Sequence, residues 1–519
     1  MQISLTTFKG IRPKVDEELL ADVEAQTAEN VDLGKGLIHP WDNEAKDDDL
    51  SNNSLVRSLY LLDEAYWLEF TADVDLVLSV IAADTADKFY YTGDGIPKKS
   101  NKTEAITGSG AMPINFYPLA LPSPYAKLTA SATDSGGSGD DRNTTYVWTV
   151  VSSWGEESLP SPACDTVTAK NGEDVDLTAI TMIWAAATAY TVGNSVYDTT
   201  DEGGTYLYKC VGAGTSGALE PSPWGTTVDG DTLDNTVTWR CYENNLSYKR
   251  IYRINTGDQF ANYQYVIQIA ITAAAYSDSV ADADLGEVLP SETWNPPIDE
   301  LIGLAYMGNG IVAGFNGKDL YFCHPYHPWA WPDEYRLTLP TTIVGIKSVG
   351  STLVAGTETK PHLITGTDPQ SMTDDPFPDP QPCVSKRGMA EHKGQVLFPT
   401  AAGLYMIGGA QGELLTTQAY SRKEWADLYP ETMHGHIHDG KYFGYYSSGG
   451  NEGCLVVDFL NGIITTLDLY TPAAYVNVKT DTLYYIRNTS EVLLLENGTS
   501  YPSRTNSFLL ESGDKLLLE

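Results

Sequence analysis

The chain has 519 residues, 42% of them hydrophobic, which exceeds what one core usually organises and sets an expectation of two to four domains. Its 69 acidic and 32 basic residues leave a formal charge of −37, which disfavours tight binding to phosphate backbones or anionic membranes. An 11% aromatic share with 32 Tyr, 46 Gly and 28 Pro favours strands and turns over helices, so the class reads mainly β.

Residues 1–57 read as an N-terminal arm. A helix is expected over Val15 to Val31, with Asp16 as its N-cap and acidic residues in the first turn. The N-terminus lacks a charged region followed by an apolar run, and no apolar stretch reaches about 18 residues. No membrane-spanning segment is therefore expected, and folding in a cytoplasm is.

From Ser58 the pattern changes to short β-type runs: Leu59 to Leu62, Tyr66 to Phe70 and Phe89 to Tyr91, closed by Gly93-Asp94-Gly95. Together they amount to one four-stranded unit, a propeller blade within a region 58–132. The Gly/Ser/Asp-rich stretch Thr133 to Asn143 reads as a loop at a domain boundary. Beyond it, Thr145 to Val151, Tyr248 to Ile254, Tyr263 to Ile269 and Tyr276 to Asp278 form the two halves, 133–183 and 244–290, of a fibronectin type III-like sandwich. Between the halves, 184–243 carries its own aromatic-rich hairpin pattern and reads as an inserted module, tolerated because loop-closure entropy grows slowly with length.

After Pro290 a rhythm of about 42 residues sets in over 291–519. Ile311 to Gly314, Leu353 to Gly356, Val396 to Phe398, Tyr442 to Gly444 and Leu483 to Tyr485 are each followed within a few residues by a second strand, as in propeller blades. With the unit from Ser58 to Tyr91 the count is about six blades.

Chemical motifs are sparse. The triplet His434, His436 and His438 would share one face of a strand and could share a metal. The aromatics Tyr190, Tyr206, Tyr208, Trp224 and Trp239 could stack on sugar rings, or equally form the core of a module that small. Cys323 stands beside His324 and His327 in a Pro-rich loop that reads as rigid packing, and Asp278, Asp282, Asp284 and Glu287 read as a solvated turn and not a calcium loop. The six cysteines have no metal spacing and read as buried thiols. With no P-loop, GxGxxG, GxSxG or HExxH, no cofactor and no enzymatic activity are expected.

The segments Thr7 to Pro13, Ala25 to Asn30, Tyr91 to Pro97, Ser153 to Pro162 and Leu285 to Ser291 resemble the nozzle, or tail tubular B-like, virion proteins of short-tailed bacteriophages. That resemblance implies a homo-hexameric ring in the phage tail, below the adaptor and near the tail fibres, assembled in the host cytoplasm. Double-stranded DNA would pass through it without specific binding, the acidic surface keeping the genome off the lumen. The insert is similar to chitin-binding type 3 modules at Tyr190, Gly193, Val196, Tyr206, Tyr208, Cys210, Gly214, Ser216, Gly217, Glu220, Pro221 and Trp239, which implies contact with host surface glycans.

Overall fold

The computed structural model describes residues 8–21, 23–33, 39–41, 44–52, 55–81, 84–133, 140–170, 172–256, 262–409, 411–495 and 509–511. Strands dominate, because β-branched and aromatic residues alternate with polar ones between turn residues throughout. Among the described residues the α-helices are Lys102–Ile106 and Arg422–Ala426.

Six sheets surround one axis as propeller blades. In chain order their innermost strands are Asp75–Leu78, Ile302–Tyr306, Ile343–Val349, Ala390–His392, His434–His438 and Ala474–Asn477, each packed against the next. The strand pairs read from the 42-residue rhythm are the second and third strands of the last five, such as Thr352–Thr357 with His362–Thr365 and Gln395–Thr400 with Gly403–Gly408. The turn between them is short, so each pair is a local hairpin with a strong sequence signature.

The unit expected from Ser58 to Tyr91 divides in two. Tyr66–Phe70 pairs back on Ser58–Leu62 as a hairpin. The chain then turns at Ala72 to Val74, where the Ser58 hydroxyl donates to the Ala72 carbonyl and accepts from the Val74 N–H. Asp75–Leu78 thus opens a separate sheet with Phe89–Thr92, Lys98–Ser100 and Tyr117–Pro118. The hairpin is the ring's seventh unit. One side packs Leu59 and Trp67 on Ala473, Ile486 and Val492, and the other packs Phe70 and Leu68 on Phe89 and Tyr91.

The helix expected over Val15 to Val31 is not formed. Glu17–Leu19 makes a single 3-10 turn, with Asp16 accepting from the Glu18 N–H, and Thr27–Glu29 is a strand paired in parallel with Ile463–Leu467. Ala25, Ala28 and Val31, whose spacing suggests a helical stripe, are fully buried against Leu455, Val457 and Ile464 instead. A short exposed helix is marginal by itself, and joining an existing sheet edge satisfies its backbone better. Ala45–Asp49 likewise supplies the fourth strand of the last blade beside Glu491–Leu494. Its AKDDD sequence is foreign to a buried strand but suited to an exposed edge.

The sandwich stacks a three-stranded sheet (Thr129–Thr133, Asp174–Thr178, Tyr276–Asp278) on a four-stranded one (Val167–Lys170, Asp141–Ser152, Leu246–Thr256, Gln264–Ala270). Thr129–Thr133 belongs to it, so the Gly/Ser/Asp-rich stretch lies inside the sandwich and not at its boundary; residues 134–139 of that stretch lie outside the described residues. The insert follows Asp174–Thr178 and returns at Leu246–Thr256, its main sheet made of Ser195–Val196, Tyr206–Gly212, Val237–Glu243 and Asp231–Asp234.

Sandwich and propeller meet at a buried joint. Lys99 of the blade opened by Asp75–Leu78 pairs with Glu156 of the sandwich, with side chains 0% and 1% exposed. Around this pair Tyr117 meets Trp154 edge-on at 5.6 Å, and the Trp329 indole donates to the Glu157 carbonyl. The Glu157 carboxylate accepts from Thr149, Arg250 and Tyr252.

Candidate functional site

At one mouth of the propeller axis, the chain entries of the inner strands bring charged and imidazole groups together. Asp73 and Asp75 stand at the entry of the blade opened by Asp75–Leu78, Lys386 and Arg387 before Ala390–His392, His434 and His436 on His434–His438, and Lys347 within Ile343–Val349. Six blades converging on one axis necessarily crowd these positions.

Lys386 bridges to Asp73 at 3.1 Å and to Asp75. Burial works against its ammonium, but the two carboxylates outweigh it and its pKa ends above the ordinary lysine value. The Arg387 guanidinium donates through Nη2 to the Pro472 carbonyl at 2.9 Å and to the Arg57 carbonyl, while its Nε stands 3.8 Å from Asp73. It therefore ties three units together by backbone contacts. Lys347 is half-buried and, among the described residues, has no carboxylate within 4.0 Å; burial pushes its pKa down.

The histidines form a relay whose proton positions follow from one carbonyl. The Thr471 oxygen can only accept, so His434 Nε2 carries the proton in their 2.6 Å contact. His434 Nδ1 is then the acceptor in its 3.1 Å contact with His436, and His436 Nε2 must donate. That leaves His436 Nδ1 as a bare acceptor. Burial first, and then the Arg387 charge, hold both imidazoles neutral: His434 falls well below the usual histidine range, and His436 is pushed down to about 3.

His438 does not join them. It faces Asp481 at 3.3 Å at the far end of the strand. Among the described residues no group of three His, Cys, Asp or Glu side chains is placed to hold a metal, so the triplet does not form the three-ligand site that strand alternation suggests. A five-residue strand is long enough to carry its first and last side chains to different neighbours.

The aromatics of the insert do converge, but inward. Trp239 is fully buried, and Tyr190, Tyr208 and Trp224 are 2%, 4% and 7% exposed; Tyr206 packs at their margin. Tyr208 stacks on Trp224 at 4.2 Å, and the Trp184 and Trp239 indoles both donate to Asp234 Oδ2. These rings form the module's core. A sugar platform needs exposed ring faces, which this set lacks.

The remaining motifs take structural roles. All six cysteines are buried and free, and burial raises the Cys323 and Cys383 thiols to about 12. His324 and His327 face each other at 3.0 Å beneath Trp294. Asp278 and Asp282 are engaged by Arg253, which is fully buried. Among the described residues no helix is long and apolar enough to cross a membrane.

No protein-family model and no curated protein matches the chain. Among solved structures it is similar to the Neurospora crassa Pan2 WD40 domain, at 10% identity over 61% of this chain and 91% of that one, with a TM-score of 0.28. It is also similar to the N-terminal domain of Nup159, at 10% identity over 50% and 75% with a TM-score of 0.28. A third likeness is to the AfRom2 CNH domain, at 7% identity over 63% and 100% with a TM-score of 0.25. Such scores carry no functional argument, and the propeller rests on the sheet order described above.

The axial residues Lys347, Lys386, Arg387, Asp73 and Asp75 are not singled out by sequence reasoning. The adjacent cations Lys386-Arg387 do not stand out in sequence, because Lys98-Lys99, Lys249-Arg250 and Arg422-Lys423 are equally paired.

Proposed function

We propose that the chain is a structural subunit of a short-tailed phage tail, of the nozzle type, assembling into a ring around the path of the exiting genome. One observation carries this reading: the segments that resemble nozzle proteins fall at the joints of the fold. Gly10 adopts φ +85° where the N-terminal arm crosses Ile464, and a side chain there would strike that backbone. Gly93 adopts φ +101° in the blade turn packed on Asp73. Glu156 and Trp154 form the buried sandwich joint, and Ala28 and Leu289 fill cores between elements distant in sequence.

Joints of this kind suit a part that bears load without changing shape. In this reading the ring is a homo-hexamer between the adaptor and the distal tail, meets the tail fibres, resides in the virion, and carries the insert outward. DNA passes without specific binding, because the surface is acidic. Contact with host glycans, the second reading, would have to use a face of the insert other than its core aromatics Tyr190, Tyr208, Trp224 and Trp239.

Negative-stain imaging of the purified full-length protein tests the proposal. Six-fold rings with a central hole are expected; monomers at every concentration imaged would refute it.

A further inference from the structure

Away from the axis, the loop that follows Asp319–Phe322 brings two imidazoles and a carbonyl together. Three backbone bonds hold it: His327 N–H to the His324 carbonyl at 2.9 Å, Ala330 N–H to the His327 carbonyl at 2.9 Å, and His324 N–H to the Ala330 carbonyl at 2.7 Å. Trp294 covers both rings, with centroids 5.5 and 4.4 Å away, and Tyr335 stacks on His324. Both imidazoles are half-buried, and burial holds them below the usual histidine range, so at neutral pH each is the uncharged form that binds metals.

Three electron-rich atoms meet in this loop. His324 Nδ1 and His327 Nδ1 are 3.0 Å apart, and the Pro325 carbonyl oxygen lies 3.3 Å from the first and 2.7 Å from the second. The oxygen can only accept, so in the bare loop His327 Nδ1 carries a proton that must be split between that oxygen and His324 Nδ1. A second proton, on His324 Nδ1, would set two N–H groups against each other. One cation facing all three atoms satisfies every contact. Donors about 2.1 Å from an ion and at right angles lie about 3.0 Å apart, against about 3.4 Å in a tetrahedral set. The contacts here, 2.7, 3.0 and 3.3 Å, centre on the first value. The ring tilt agrees: a straight N–H···N bond of this length holds the ring centres about 5.3 Å apart, and chelation of one ion brings them to about 4.7 Å. They are 4.8 Å apart.

The geometry points to a binding site for a divalent transition-metal ion of the copper or nickel type, chelated by Nδ1 of His324 and His327 with the Pro325 oxygen as third donor. Nitrogen and oxygen donors at right angles are the pattern of those two ions. With two side chains, this donor set is smaller than the three-side-chain groups that are absent among the described residues. The ion would stiffen the joint between propeller and sandwich, because Trp329, two residues on, donates its indole to the Glu157 carbonyl. The site lies within one chain and does not rest on the proposed tail role.

The test is titration of the full-length, chelator-washed protein with copper(II) chloride at neutral pH, read by calorimetry and by electron paramagnetic resonance. Micromolar binding at one site per chain, nitrogen couplings from two imidazoles and a saturable rise in Tm are expected. Calcium chloride should bind at least about tenfold more weakly, because calcium takes oxygen ligands. His324→Phe and His327→Phe keep a ring beneath Trp294 and, folded by circular dichroism, should each lose at least about tenfold in copper affinity. His436→Phe removes the close imidazole pair at the axis and should bind copper as wild type with the two-imidazole signal, which decides the matter even where the loop variants unfold. No copper binding in the wild type, loss of the two-imidazole signal in His436→Phe, or unchanged binding in folded His324→Phe would each overturn the inference.

Discussion

Changing Glu156 to Gln keeps the shape of the side chain and removes its charge, leaving the Lys99 ammonium buried between propeller and sandwich with no counter-ion. Neither side chain is more than 1% exposed, so water cannot take over. Burial already pulls the Lys99 pKa down, with the Glu156 charge as the main opposing influence. Removing one partner of a pair buried this deeply costs about 3–5 kcal/mol, whereas replacing both with apolar residues of similar volume is often near neutral. Glu156→Gln should therefore lower the urea midpoint strongly, and Lys99→Met with Glu156→Leu should recover most of the loss. Fluorescence is a suitable probe, because Lys99 Nζ sits 5.6 Å from the Trp154 ring at the joint. A cost below about 1 kcal/mol for Glu156→Gln, the range of surface pairs, would refute the view that this joint is sealed from water.

The neutral histidines at the axis make stability depend on pH. Their folded pKa values lie below the unfolded value of about 6.5, so between the two the unfolded chain binds more protons. Stability is complete above about pH 6.5 and falls as pH drops; for His436 alone the loss by about pH 5 is on the order of 2 kcal/mol. Chemical denaturation across that range, compared with His436→Phe, should show the variant with the shallower slope. In the insert, Asp234→Ala strands the Trp184 and Trp239 indoles and frees the Gly217 N–H, so hydrogen exchange should accelerate within 184–243 while the blades stay protected. Gly10→Val should destabilise the blade containing Ile464, read as faster exchange in Ile463–Leu467. All six cysteines should resist a maleimide until the protein unfolds, and fast labelling of Cys323 or Cys383 in the native state would contradict their burial.

How much could be read in advance depended on the range of the interaction. Val396 to Phe398 and Leu404 to Met406 announce themselves because they are partners in one hairpin, and both their apolar alternation and their turn lie in neighbouring residues. Ala45–Asp49 does not, because its partner strand is more than 440 residues away and its side chains are largely exposed. Ala25, Ala28 and Val31 have spacing compatible with a helix, and only the blade that receives them decides otherwise. The axial cluster was hidden for the same reason: Lys347, Arg387 and His436 come from separate blades, and nothing local in their sequence says that they meet.

The weaving of the N-terminal arm into the last blades has a consequence in time. Ribosomes deliver the chain from its N-terminus, yet Thr27–Glu29 and Ala45–Asp49 pair with strands made more than four hundred residues later. The sandwich and insert can complete their cores early, while the first strands of the ring wait with unpaired edges for more than four hundred residues to emerge. Nascent chains stalled before Ile463 should therefore hold a folded sandwich beside an open, aggregation-prone arm. Chaperone demand should last until those partner strands emerge, and a single cooperative event should then close the circle.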